Sequence, residues 1–405
     1  MSNSPARRLP VRPDLGQLER EAQEITAAGN SSLADAQLAV AQSYGAESWA
    51  RLVQSCNLID AIWRDDLEAV RDLVQQQPNL LHENAGIRNN NWGPPLTYAA
   101  NLGRDRIIRM LYDLGARDLE SALDRAVLQS KIDTARMLHE MLGSPSPPDD
   151  ALGGAAYTLS DTGTALVLEL GGRVVNENGE RLAPVDVVLE TDSRKPDAKH
   201  KILELYVQHG LELPDTPVMA LHRGRVDLLE DHLKRDPKLL QRTFSHEEIY
   251  PPELGCHDEV LATQGTPLAG TTLLHLCADY DELEIARWLL ERGMDPNVKS
   301  AVDAGGFGGY TPLFATVVSQ PNYWMNRAQA QSAPFTELLL AHGADPNVRA
   351  SLRKQLHPGY SPRHDVDKLY EYRNVTALGW GRQFHAKDFV SEPALRLIEE
   401  HGGRE

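Results

Sequence analysis

Three cysteines in 405 residues are too few for a disulfide framework. Cys56, Cys256 and Cys277 form an odd set without metal-ligand spacing, so they read as small buried apolar residues in a reducing compartment. Long apolar runs are missing too, since none approaches the roughly 18 to 20 residues that span a bilayer. In "MSNSPARRLPVRPDLG" no apolar segment follows Arg7 and Arg8, so neither a secretory nor a twin-arginine signal is expected. The expectation is a cytoplasmic protein with no membrane partner. Positive charge is scarce, with 41 Lys and Arg against 58 Asp and Glu and a net charge of −17. Coating nucleic acid needs a basic surface that releases counterions, so no nucleic-acid partner is expected and a basic or neutral one fits better. Catalytic signatures are absent as well: there is no G-x-S-x-G, no Gly-rich phosphate loop followed by Lys, and no H-E-x-x-H. "DAGGFGGY" at 303–310 has glycines without a strand before or a helix start after, and reads as a finger turn.

What is present is a core and a repeat. Hydrophobic content of 41% and charged content of 24% are ordinary for a chain that folds. A fixed order of residue types recurs: a small or polar turn, Leu, two small residues, a polar break, an apolar pair, then "LL" and Gly. It is clearest in "GTTLLHLCADYDELEIARWLLERGMDPN" at 270–297 and "GPPLTYAANLGRDRIIRMLYDLGARD" from Gly93. "GGYTPLFATVVSQ" from Gly308 is completed by "FTELLLAHGADPNV" from Phe335 after an interruption. Weaker copies start at Asn57, Ser121, Ala151, Ala183, Pro217 and Thr376, giving about nine units near the ~33-residue period of helix-pair repeats.

Elementary physics supports each unit as a helix pair. Thr272 can cap a first helix, and Leu274, Cys277 and Ala278 form one apolar stripe. Ile285, Trp288 and Leu289 repeat the stripe on a second helix, Gly293 supplies a left-handed end, and Asp295, Pro296 and Asn297 turn the chain into a finger. One pair cannot bury its apolar face alone, so units stack. These residues resemble the ankyrin repeat, most clearly in "GYTPLF", "LTYAANLG", "TLLHLCADYDELEIARWLLERGMDPN" and "LLLAHGADPN". The resemblance implies an all-α ankyrin-repeat solenoid with short β-hairpin fingers. It makes His275 a turn-bonding residue rather than a ligand, and implies recognition by finger tips and the inner-helix groove. Carried over by position, that surface comprises Trp92, Tyr98, Asn101 and Leu102, then Thr271, Asp279 and Tyr280, then Tyr310 and Val318. Pro94 departs from the pattern by replacing the capping Thr.

The expected organisation is a flexible tail over 1–13, a helical cap over 14–56, repeats over 57–143, a Pro/Ser break over 144–150, and degenerate repeats over 151–240. An insertion over 241–269 follows, then repeats over 270–403 with insertions at 320–334 and 350–373. Long loops are often functional. "FSHEEIYPPELGCHDE" offers His246, Cys256 and His257, but adjacent Cys and His suit shared tetrahedral coordination poorly, so a solvated loop is expected rather than a metal. The insertion at 350–373 is a basic island with Arg353, Lys354, Arg363, Lys368 and Arg373, and Tyr360, Tyr370 and Tyr372 add interface-type surface. Tyr323 and Trp324 stand together in the insertion at 320–334 and would anchor a partner if exposed. The expected function is a non-enzymatic scaffold that binds a protein through the inner face and these loops, without a cofactor. The alternative is a small-molecule or metal-binding site, with an enzymatic role left open, built from the insertions at 241–269 and 350–373. A third reading is self-association.

Overall fold

In the computed structural model the described residues are 7–29, 32–191, 193–258, 265–318, 331–355 and 368–405. The chain divides into two compact units, Met1–Ala155 with Thr162–Gly172 and Ala156–Asp161 with Arg173–Glu405. Both are built of stacked helix pairs, so the fold is all-α and of the repeat type expected from the sequence. No helix among the described residues is long and apolar enough to cross a membrane.

The first unit opens with α1 (Leu15–Ala28) and α2 (Leu33–Ser43), whose first turns are capped by the side chains of Asp14 and Ser32. The pairs α3 (Trp49–Trp63) with α4 (Leu67–Gln76), α5 (Pro95–Leu102) with α6 (Asp105–Asp113), and α7 (Leu119–Leu128) with α8 (Ile132–Met141) follow. The first helices α3, α5 and α7 pack side by side, and α4 packs on α6. Ala99, Ala100, Ala122 and Ala126 are buried where the helices approach, and Ile107, Ile108 and Leu111 fill the inner side of α6. Each of those large side chains contributes about 1.5–3 kcal/mol by leaving water. Leu18, Ala22, Val40, Leu52 and Cys56 form a cluster that joins α1 and α2 to α3 and covers the start of the stack.

Two departures have local causes. Pro94 cannot cap α5 with a side chain, and the Asp118 carboxylate of the next pair does so instead, accepting from the Thr97 amide at 3.1 Å and from the Thr97 hydroxyl. The segment from Arg7, expected as a flexible tail, is held down. The Arg7 amide donates to the Ser43 carbonyl at 2.9 Å, Arg12 pairs with Asp60 at 3.0 Å, and the Tyr98 hydroxyl donates to the Val11 carbonyl.

The sequence passes between the units through α9 (Gly153–Tyr157) and α10 (Asp161–Glu169). The second unit holds the pairs α11 (Val185–Glu190) with α12 (Pro196–Gln208) and α13 (Pro217–His222) with α14 (Val226–Arg235). The insertion after α14 is not structureless: it contains α15 (His246–Ile249), closed by a Ser245–Glu248 capping box, and its Phe244 bridges to Thr271. Then come α16 (Leu273–Tyr280) with α17 (Leu283–Glu291), α18 (Pro312–Val317) with α19 (Pro334–Ala341), and α20 (Ala377–Gln383) with α21 (Glu392–Glu400). Gly293 ends the α17 hairpin in the left-handed region, at φ 88°. Successive units are clasped by asparagine. The Asn297 amide donates to the Gly343 carbonyl at 2.9 Å and its side-chain oxygen accepts from the Asp345 amide at 2.7 Å. Asn347 repeats this on Gly402 and Arg404 at 3.1 and 2.9 Å.

Candidate functional site

The fingers of the second unit form a small sheet. Strand β1 (Ala350–Lys354) pairs antiparallel with β2 (Tyr370–Val375), with Leu352 opposite Tyr372 and Lys354 opposite Tyr370. On its other edge β1 meets the preceding fingers through Gly308 at Ser351 and Gly265 at Lys354. The glycines of 305–309 allow this closeness. At Gly308, φ is 125° and a Cβ would stand 1.9 Å from the Ala301 carbonyl oxygen, so no side chain fits there. Phe307 is buried beneath two guanidinium groups, Arg353 at 4.8 Å and Arg373 at 4.2 Å from the ring centre. Arg353 also pairs with Asp303 at 2.9 Å and donates to the Gly265 carbonyl at 3.0 Å. These contacts turn three fingers into one preorganised surface. Val302, in the finger that bridges to β1 through Gly308, is 61% exposed, and Leu369, just before β2, is 44% exposed; Lys368, Glu371 and Arg373 are exposed as well.

The second unit also contains a buried polar cluster. Glu282, at the start of α17, lies 3.1 Å from the Lys199 ammonium of α12 and accepts from His200 Nε2 at 2.9 Å. Lys199 also stands 4.1 Å from the centre of the Tyr280 ring. The Tyr280 hydroxyl donates to the Leu189 carbonyl at 3.2 Å, which leaves Tyr250 as the donor in the short bond between the two hydroxyls. Arg194 faces the same ring at 5.4 Å and pairs with Asp279 at 3.3 Å. His222 meets Tyr280 edge-on at 5.0 Å, and neither of its ring nitrogens has a partner at hydrogen-bond geometry among the described residues.

Electrostatics follow burial. Burial pulls the Lys199 ammonium below its ordinary range, with Glu282 opposing. Burial would raise the Glu282 carboxyl, but Lys199 and His200 together hold it below the usual carboxylate range. His222 is driven well below an ordinary histidine by burial and by the nearby Lys199 charge, with the Ile249 backbone acting weakly the other way. The cluster therefore presents an ionised pair and a neutral imidazole, and its chemistry is to lock α11, α12, α13 and α16 together.

The residues expected to recognise a partner are distributed differently from the sequence reading. Trp92, Tyr98, Asn101, Thr271, Tyr280, Tyr310 and Tyr372 are buried, and a buried side chain offers no contact surface. The chain covers its own inner face. Val11 takes the Tyr98 hydroxyl, Pro267 accepts from Tyr310 at 3.1 Å, Tyr250 sits on Tyr280, and Phe244 pairs with Thr271. Asn101 is spent within the first unit, accepting from Arg125 at 2.8 Å. Leu102 is half-buried, Asp279 is engaged by Arg194, and Val318 bridges to Val390. Arg353 serves the finger sheet, Lys354 lies within it, and Tyr370 stacks on His385 at 3.8 Å. The Tyr372 hydroxyl, raised to about 12 by burial, bonds His385 Nδ1 at 2.7 Å. Tyr323, Trp324, Tyr360 and Arg363 lie outside the described residues.

His275 bonds the turn as the repeat pattern implies. Nδ1 accepts from the Thr272 amide at 3.1 Å, so Nε2 carries the proton and donates to the Tyr310 carbonyl at 3.1 Å. In the insertion after α14, burial pushes the Cys256 thiol up to about 12, and His257 Nδ1 meets Glu190 at 2.6 Å. No group of three His, Cys, Asp or Glu side chains converges as metal ligands do among the described residues. Sequence reasoning missed Lys199, Glu282, Val302 and Leu369. The first had a signal: Lys199, Ile202, Leu203 and Tyr206 make one helical stripe, all buried, with a lysine where an apolar residue belongs.

A family model of the ankyrin repeat matches residues 269–301, the span of α16, α17 and the turn beyond. No curated protein matches the chain. Among solved structures, the crystal structure of the human ASB11 ankyrin repeat domain is similar over 75% of this chain and 97% of that one, at 16% identity and a TM-score of 0.28. With the repeat matched at 269–301 and the same helix-pair unit recurring before and after it, the chain is an ankyrin-repeat protein.

Proposed function

We propose that the chain is a non-enzymatic scaffold that holds another protein on the finger surface of its second unit. Ankyrin repeats are in general protein–protein interaction modules. The observation that carries the reading to this surface is the exposure of Val302 and Leu369, at 61% and 44%. Exposed apolar side chains, with exposed Lys368, Glu371 and Arg373 also carried by these fingers, have the make-up of an interface with a polar rim. The sheet beneath is already ordered by Gly308, Phe307 and Arg353, so little conformational freedom is lost on association. A basic or neutral partner suits a chain of net charge −17. Three free cysteines support a reducing, cytoplasmic setting for the encounter.

The test is chemical cross-linking of the full chain in its native lysate, with mass spectrometry of the products. A partner captured by the wild type should be lost in Val302→Asp/Leu369→Asp, whose exposed positions leave the melting temperature unchanged. Undiminished capture by that variant sinks the finger reading. A cross-linked product consisting of two copies of the chain would replace it with self-association.

A further inference from the structure

The outer face of the first unit carries a second surface that neither the inner helices nor the fingers explain. α4 and α6 are the second helices of adjacent pairs and pack together. Between them lies an open groove of about 420 Å³, lined by Leu67, Arg71, Arg106, Arg109, Met110, Asp113 and Leu114. The inner side of α6 is committed to the core through Ile107, Ile108 and Leu111, so Arg106 and Arg109 stand on the opposite side, exposed. Three guanidinium groups therefore meet a single carboxylate at this groove. Arg71 shares its charge with Glu68 at 2.6 Å. Neither Arg106 nor Arg109 is held by an ion pair or hydrogen bond to another described residue. The floor is apolar: Met110 is buried, Leu67 is half-buried and Leu114 is 37% exposed.

We infer that this α4/α6 groove is a docking surface for an acidic, amphipathic peptide segment of a partner protein. Its Asp or Glu side chains pair with Arg106 and Arg109, and a leucine-sized side chain sits on Leu67, Met110 and Leu114. The planar guanidinium matches a carboxylate with two parallel hydrogen bonds, which a lysine patch would not do. The apolar floor selects a peptide over a bare phosphate chain. Nucleic acid and anionic lipid bind through an extended basic field, which the few local guanidinium groups of this groove do not supply. A short segment laid in a groove between two helices is an established mode of recognition. This surface lies on the first unit and does not rest on the fingers of the second.

The experiment uses the full chain and a fluorescein-labelled helical peptide of about 16 residues, with Glu and Leu on opposite faces, read by fluorescence anisotropy. A matched peptide with Lys for Glu and vesicles of phosphatidylserine and phosphatidylcholine are the other arms. The Glu peptide should bind, about tenfold more weakly to Arg106→Glu/Arg109→Glu and several-fold more weakly to Leu114→Ser. Binding should weaken as salt rises from about 50 to 300 mM, and Arg373→Glu should leave it unchanged. Circular dichroism should report the same melting temperature for Arg106→Glu/Arg109→Glu as for the wild type, since both side chains are exposed. The inference is overturned by any of four results. These are no binding of the Glu peptide, equal binding of the Lys peptide, equal loss in Arg373→Glu, or vesicle binding that replaces peptide binding.

Discussion

Replacing Glu282 by glutamine removes one charge from the buried pair with Lys199 while keeping the side chain's size and an oxygen for His200. Both partners are only 3% exposed at the side chain, and 3.1 Å separates them. At an effective dielectric constant of ~20, the attraction at that distance is about 5 kcal/mol. Without it, Lys199 is left as an uncompensated charge in the interior, and such deletions cost about 3–5 kcal/mol. The carboxyl lies below its ordinary range in the folded state, so its contribution is complete above about pH 4.5 and is lost only as pH falls through the lowered value. Measurements at pH 7 therefore report the whole effect. Repeat stacks need not unfold in one step. The assay is accordingly native-state hydrogen exchange at the α12 and α16 amides, together with urea unfolding. Glu282→Gln should lower protection there by about two to three orders of magnitude, equivalent to ~3–4 kcal/mol. Lys199→Met/Glu282→Leu, which removes both charges, should recover most of the loss, because a buried pair is often matched by apolar residues of its size. A loss under about 1 kcal/mol, or a double variant as damaged as the single, would refute the idea that charge neutrality at this joint sets the stability of the second unit.

Two further perturbations test the joints between repeats. His275→Phe strands the Thr272 amide and the Tyr310 carbonyl, both buried, at a cost of about 2–4 kcal/mol by urea unfolding. Burial lowers His275 from 6.5 to about 4, so the unfolded state binds the extra proton and stability falls as pH drops from about 6.5 to 4. His275 accounts for about 3 kcal/mol of that fall, and the variant should show a correspondingly shallower acid slope; an unchanged slope would clear His275 of the effect. Asn297→Ala opens the clasp on Gly343 and Asp345, costing about 1–2 kcal/mol. The Asp345 amide should then exchange faster, and unaltered exchange would mean that the clasp contributes nothing.

The repeat was legible because its signals are local. At 270–297, Thr272, the small residues of α16, the apolar stripe of α17 and Gly293 each act within one or two turns, and each sits where the sequence placed it. What was not legible acts through space. Nothing near Pro94 announces that Asp118 of the next pair will cap α5. Nothing near Tyr98, 87 residues from Val11, announces that the N-terminal segment will lie over it. The Lys199 stripe on α12 could have been found by helical spacing. Its carboxylate partner could not, because Glu282 follows a left-handed Asp281 and lies beyond one intervening helix pair and the insertion after it.

That difference moves the accessible surface of this repeat protein. In a plain stack, the first helices and fingers of every unit face a partner. Here the inner-face positions Tyr98, Tyr280 and Tyr310 donate their hydroxyls to backbone carbonyls of the chain itself, at Val11, Leu189 and Pro267. To bind there, a partner would have to displace bonds already made inside a buried environment, where an orphaned carbonyl costs about 1–3 kcal/mol. The exposed finger residues Val302 and Leu369, and the outer groove at Arg106 and Arg109, involve no such exchange. In the proposed reading, association at either would displace water alone, so a partner would gain most from the edges and outer faces of these units and least from their inner faces.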